Sequence, residues 1–174
     1  MSKAIAKILV WDASLLLYIR GLERNWLTPV MRVVTRLGNA EMWFVLGFTL
    51  AAVGGTATEA GLRLGMAALL GTLFAQILKR SCKRERPNLR IEGFTALSEN
   101  PDHFSFPRGH TTTAVSVAVA LFDQGVLLGP LAMGFASLIA VSRVYLGAHY
   151  PLDVGVGALI GTCTGLIVRF VFGA

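Results

Sequence analysis

The sequence predicts an all-α fold: a polytopic transmembrane helix bundle of five to six spans, with an N-terminal amphipathic interfacial helix. Two bulk properties and one pattern predict it. Hydrophobic residues make up 54% of the 174 positions and charged residues only 15%, where a soluble domain carries about 25% charged. Mean hydropathy is +0.62. Long apolar runs recur along the chain, separated by short turn-forming segments. These properties exclude a disordered chain, which needs low hydrophobicity and high charge. They also argue against an ordinary soluble enzyme, because so few charges cannot cover its surface. At about 20 residues per spanning helix, the chain has room for five or six spans and little else. A single domain over residues 1–174 is expected. The net charge of +6 is the odd feature, since it needs a specific place in a chain this poor in charge.

The first element, Ile5 to Ile19, is apolar but interrupted by Lys7, Asp12 and Ser14. It fits either a crossing or a helix lying in the interface. No small-residue cleavage site follows, so no cleaved signal is expected. Leu22 to Leu37 places Leu22, Trp26, Val30, Val33, Val34 and Leu37 at helical spacing, punctuated by Arg20, Arg24, Arg32 and Arg36. That pattern suits an anionic membrane surface. Pro29 is expected to kink this helix.

Five apolar runs follow: Met42 to Thr56, Leu62 to Leu78, Thr111 to Phe122, Val126 to Val144 and Val154 to Phe172. The third is short and reaches span length only with the residues before it. Gly54-Gly55, Asp123-Gln124-Gly125 and His149-Tyr150-Pro151 supply turns. All five must be helices, because an open strand edge cannot be satisfied in lipid. Gly157, Gly161 and Gly165 form one small-residue face, and Gly61 with Gly65 another. Such faces let helices pack closely, and packing within one bundle is expected over a dimer contact. Cys82 and Cys163, the two cysteines, make neither a bridge nor a metal site.

Between the second and third runs the chain turns polar. Lys79, Arg80, Lys83, Arg84, Arg86, Arg90 and Arg108 face Glu85, Glu92, Glu99 and Asp102 there. At about 30 residues this connection is long, and such loops are usually functional or disordered. Pro87, Pro101 and Pro107 argue for a fixed irregular path.

Three clusters can carry chemistry. Lys79 to Pro87 is a basic stretch at a span end, which equally fits a patch gripping lipid headgroups. Pro107-Arg108-Gly109-His110 sits where the loop meets a helix, whose unpaired N–H groups favour an anion; alone it also fits an N-terminal cap. Ser142 to Asp153 places His149 and Asp153 four residues apart, on one helical face. A carboxylate there can hold one ring nitrogen protonated and leave the other free to attack. Alone, it also reads as a capped helix start. Two runs separate His110 from Ser142, so all three clusters end on the same face. Lys79, Arg86, Arg108 and Arg143, two imidazoles and one carboxylate match what phosphoryl transfer needs. Metal binding is not expected, since no Glu/Asp/Cys cluster supports the histidines.

These residues resemble the type 2 phosphatidic acid phosphatases, a membrane family related to the vanadium haloperoxidases. Lys79, Arg86 and Pro87 match its K-x6-R-P motif; Pro107, Gly109 and His110 match P-S-G-H; Ser142, Arg143, His149 and Asp153 match S-R-x5-H-x3-D. Order and spacing agree. The resemblance implies that His149 is the nucleophile, Asp153 orients it, and His110 is the general acid. It implies that Lys79, Arg86, Arg143 and the Gly109 amide hold the phosphate, with no metal or other cofactor. One position departs: Arg108 stands where the family has serine. An arginine there can pair bidentately with a larger anion such as a diphosphate, or can mark altered chemistry.

The expected activity is hydrolysis of a lipid phosphate or diphosphate through a phosphohistidine. Candidate substrates are polyprenyl diphosphate, phosphatidylglycerophosphate, phosphatidic acid and lipid A phosphate. A non-catalytic lipid-phosphate binder or transporter, and a lipid phosphotransferase, share the same residues. Expected partners are a phospholipid or isoprenoid-phosphate substrate and membrane lipid, with no nucleic acid. The oligomeric state is not encoded in any pattern recognised. The expected location is a bacterial inner membrane. Lys and Arg collect on the site face, which by the positive-inside rule points that face to the cytoplasm; the resemblance points it outward, and the extracytoplasmic face is the one expected.

Overall fold

The computed structural model describes residues 3–82, 84, 87, 91, 93–97 and 109–173, with the backbone alone for residues 80–82. Seven helices are described: α1 Lys3–Gly21, α2 Leu27–Leu37, α3 Ala40–Val53, α4 Thr56–Cys82, α5 Gly109–Ala120, α6 Leu128–Tyr145 and α7 Pro151–Val171. No strand occurs among the described residues.

Each apolar run of the sequence becomes one helix. α4, α6 and α7 are long and apolar enough to cross a membrane; α3 is apolar but shorter. Their outward faces carry bare hydrocarbon, as at Phe48 (78% exposed) and Phe170 (83%). Exposed apolar surface on this scale marks a membrane-facing belt, and the chain is a membrane protein. α5 explains why the Thr111 run looked short. Every residue from Thr111 to Leu121 is buried, so this helix meets other helices rather than lipid.

Small residues make that enclosure possible. A Cβ added to Gly161 of α7 would lie 2.5 Å from the Thr112 carbonyl of α5, and one at Gly165 would lie 2.6 Å from the Ser116 carbonyl. The glycine face is thus used inside the bundle. On the other side, Ser116 Oγ donates to the Ala67 carbonyl of α4 at 3.0 Å, and Thr164 Oγ1 of α7 donates to Ser116 Oγ at 2.9 Å. Thr72 and Thr113 hydroxyls pair at 3.1 Å. These contacts run antiparallel along α4 and α5, and parallel along α5 and α7. Both α5 and α7 therefore start at the same end. Gly54 and Gly55 have φ of +90° and +64°, which glycine adopts without strain, and they reverse α3 into α4.

The opposite end is closed by charge. Arg63 donates to Glu59 at 2.7 Å and to Asp123 at 3.0 Å, and its guanidinium lies 5.4 Å from the Phe172 ring centroid. This joins α4, the α5–α6 turn and the end of α7.

One N-terminal expectation needs correction. Pro29 does not kink α2; it lies in the first turn, where its missing N–H would have no helical partner anyway. α2 is amphipathic, as expected from the sequence. Met31, Val34, Thr28 and Thr35 turn inward, while Trp26, Val30, Val33 and Leu37 face out with Arg32 and Arg36. The inward threonines are needed by α6, as described below. α1 is one helix through Asp12, and its Leu16 packs with Val144 and Tyr150.

Gly161→Ala is expected to cost about 1–3 kcal/mol by overpacking, read as a lower thermal unfolding midpoint in detergent. Gly155→Ala, where a Cβ meets nothing within 4 Å, serves as the control and should not lower it.

Candidate active site

Of the predicted site residues, those that the structure describes lie at the end where α5 and α7 begin. α6 stops at Tyr145, and Gly147 turns the chain with φ +67°. A Cβ there would come 2.7 Å from the Phe94 ring, so glycine is required by both conformation and space. Ala148, His149 and Tyr150 follow, all buried. Pro151 opens α7 at a position that suits its fixed φ, and Tyr150 N–H donates to Asp153 Oδ2 at 3.3 Å. The turn from Leu146 to Tyr150 is thus braced at both ends.

His149 is 0% exposed and Asp153 1%. His149 Nδ1 lies 3.9 Å from Asp153 Oδ2, the four-residue spacing expected from the sequence. Arg143 is 2% exposed, and its Nη1 donates to Thr35 Oγ1 of α2 at 2.6 Å. Tyr145 Oη lies 3.1 Å from Thr28 Oγ1 and accepts from Arg24 N–H at 3.0 Å. The two inward threonines of α2 therefore fix the last turn of α6.

Gly109 and His110 form the first turn of α5, half-buried. Thr111 and Thr112 beside them pack against Gly157 of α7, which sets this turn next to the start of α7. Lys79 lies near the end of α4, half-buried, at the same end of the bundle. Arg86 and Arg108 lie outside the described residues. The described part of the long loop folds back over the site. Leu97 N–H donates to the Leu146 carbonyl at 2.9 Å, Arg32 Nε to the Leu97 carbonyl at 3.0 Å, and Arg20 Nη2 to the Thr95 carbonyl at 3.1 Å.

Two residues in this region carried no role in the sequence reading. Arg84, one loop cation among seven, donates through Nη1 to Asp153 Oδ1 at 2.5 Å and through Nη2 to Asp12 Oδ2 at 2.6 Å. Its guanidinium lies 4.0 Å from the Tyr150 ring centroid. Burial alone would lower the Arg84 pKa; Asp153 and Asp12 outweigh it and hold it above its ordinary value. Arg84 is therefore charged at every working pH, and its stabilising share is lost only as pH rises past that raised value. Asp12 is 0% exposed and also accepts from Leu152 N–H at 2.9 Å. The signal for Asp12 was present: a lone carboxylate in an apolar segment marks a function by default, with a cation as its partner. Beside this pair lies a cavity of about 300 Å³, lined by Ala6, Leu9, Val10 and Ala13 of α1 with Ile91, Tyr150 and Arg84.

An all-helical membrane bundle with a buried His–Asp pair and cations at one end defines the class. The chain belongs to the PAP2 superfamily, whose model matches residues 60–173. It superposes on Aquifex aeolicus LpxE with TM-score 0.79 and 31% identity, covering 89% of this chain and 92% of that one. It superposes on the transmembrane PAP2-type phosphatidylglycerolphosphate phosphatase of Bacillus subtilis with TM-score 0.80 and 25% identity, over 98% and 87%. It is also 33% identical over 109 residues to decaprenylphosphoryl-5-phosphoribose phosphatase of Mycobacterium tuberculosis, over 63% of this chain. That match spans 59% of the relative's length.

Thr35→Val should lower stability by about 1–3 kcal/mol, because it removes a hydrogen-bond acceptor from the buried Arg143 guanidinium. Thermal unfolding against the parent chain measures it. Thr49→Val, at an exposed hydroxyl bonded only within its own helix, should change stability by less than about 0.5 kcal/mol.

Proposed function

We propose that this protein is a membrane phosphatase that hydrolyses a lipid phosphate or diphosphate through a phosphohistidine intermediate. The observation that carries the reading is the buried His149–Asp153 pair, set beside Arg143 and the N-terminal turn of α5. Relatives named for a phosphorylated isoprenoid sugar and for a phosphorylated phospholipid support the substrate class. The apolar cavity between α1 and Tyr150 supports a substrate whose tail stays in lipid.

The chemistry follows from the residue types. Lys79, Arg86, Arg143 and the Gly109 amide hold the phosphoryl oxygens and neutralise the charge spread over them. Arg108 adds a further cation for a diphosphate. The Asp153 carboxylate, 3.9 Å from His149 Nδ1, favours the proton on that nitrogen and leaves the other ring nitrogen to attack phosphorus. The new N–P bond forms as the bond to the leaving oxygen breaks, and His110 protonates that oxygen. Water then attacks the phosphohistidine with His110 as base, freeing phosphate and His149. No metal or cofactor takes part. The membrane is a bacterial inner membrane, and the site faces away from the cytoplasm.

His149→Ala should abolish phosphate release from polyprenyl diphosphate, phosphatidylglycerophosphate, phosphatidic acid and lipid A in detergent. Full activity in that variant would refute the mechanism. In a Cys82→Ser, Cys163→Ser background, Asn100→Cys should react with a membrane-impermeant thiol reagent in intact cells. Protection until the cells are lysed would place the site inside.

A further inference from the structure

We propose that Arg84 is a positioning residue, anchored by Asp12 of α1, that holds the Asp153 carboxylate in the orientation His149 needs. The inference rests on the phosphatase reading above and adds two residues that the three motifs do not specify.

The geometry divides the work of Asp153 between its two oxygens. Oδ1 accepts from Arg84 Nη1 at 2.5 Å, while Oδ2 accepts from Tyr150 N–H and lies 3.9 Å from His149 Nδ1. With both oxygens bonded, the carboxylate has little freedom to turn away from the imidazole. Arg84 is itself fixed on three sides: by Asp153, by Asp12 Oδ2 at 2.6 Å and by the Tyr150 ring. Asp12 in turn is fixed by Leu152 N–H in the first turn of α7. The chain of contacts therefore leaves α7 at Leu152, passes through α1 and the loop, and returns to α7 at Asp153.

Charge matters as much as geometry. Without Asp12, Arg84 would confront Asp153 alone and cancel more of its field at the imidazole. With Asp12, one cation is shared between two carboxylates, and the cluster keeps a net negative charge beside His149. The planar guanidinium can serve two carboxylates at once through its two Nη atoms; a lysine ammonium is a point charge without that fork. Burying a carboxylate and a guanidinium is costly unless both are well bonded, and here each has partners from two different segments.

The alternative role for Arg84 is direct binding of the phosphoryl group, and kinetics separate the two. The test uses the full chain in detergent, with the best lipid substrate from the panel and inorganic phosphate as inhibitor. A misplaced reactive group can cost up to about a hundredfold in rate. Asp12→Asn and Arg84→Lys should each lower kcat by about tenfold to a hundredfold. KM and the inhibition constant for inorganic phosphate should stay within about twofold, with an unfolding midpoint near that of the parent. A kcat within twofold of the parent in either folded variant overturns the proposal. So does weakened phosphate inhibition in Arg84→Lys, which would make Arg84 a phosphate ligand. Arg84→Lys keeps the buried positive charge and decides the matter if Asp12→Asn fails to fold. Failure of the phosphatase reading looks different: the parent chain and His149→Ala would then release phosphate at the same rate.

Discussion

Helix α5 is enclosed by α4, α6 and α7, so its side chains have only neighbouring helices for partners. In a membrane, that enclosure gains nothing from the hydrophobic effect, because lipid is as apolar as the core; close packing and interhelical hydrogen bonds must hold it. The glycines of α7 and the hydroxyls of Thr113, Ser116 and Thr164 answer that constraint. The position of the site follows from it. Because α5 and α7 are parallel and in close register, their N-terminal turns come out side by side, one carrying His110 and the other leading from His149 to Asp153. The positive ends of two helix dipoles then point to the same place, which favours an anion there.

Much of this arrangement was legible in the sequence. The apolar runs marked α3 to α7 because lipid demands long uninterrupted segments, and the glycine spacing announced a close-packed face. His149 and Asp153 were legible by their four-residue spacing, although His149 lies in the turn before α7 and not in the helix itself. The same rule failed where contacts cross elements. Thr35 meets Arg143 across 108 positions and Asp12 meets Arg84 across 72; no local period records either. The amphipathic character of α2 was legible, but that Thr28, Met31, Val34 and Thr35 are the residues turned to the bundle was not. Pro29 was misread because its effect depends on which turn it occupies, and helix starts are the least certain feature of a periodic pattern.

The two ends of the bundle use arginine differently. At the far end, Arg63 ties Glu59, Asp123 and the final helix together, and the result is a clamp. At the site end, Arg143 is braced by a hydroxyl and Arg84 by two carboxylates. Two of those braces, the Thr35 hydroxyl of α2 and the Asp12 carboxylate of α1, precede the region matched by the PAP2 superfamily model. Residues 60–173 contain the motif residues, but the contacts that hold Arg143 and Arg84 come in part from before residue 60. Similarity and electrostatics thus draw the boundary of the working unit in different places.

The Asp12–Arg84 pair also sets an order of events during synthesis. Asp12 is made 72 residues before Arg84, which at a synthesis rate of about 5–20 residues per second is a delay of about 4–14 s. Over that interval the guanidinium that Asp12 meets in the folded protein does not yet exist. The contact that ties α1 to the loop beyond α4 can therefore form only after that loop has been made. The N-terminal helix is first in the chain, yet the cation that anchors its carboxylate is made 72 residues later.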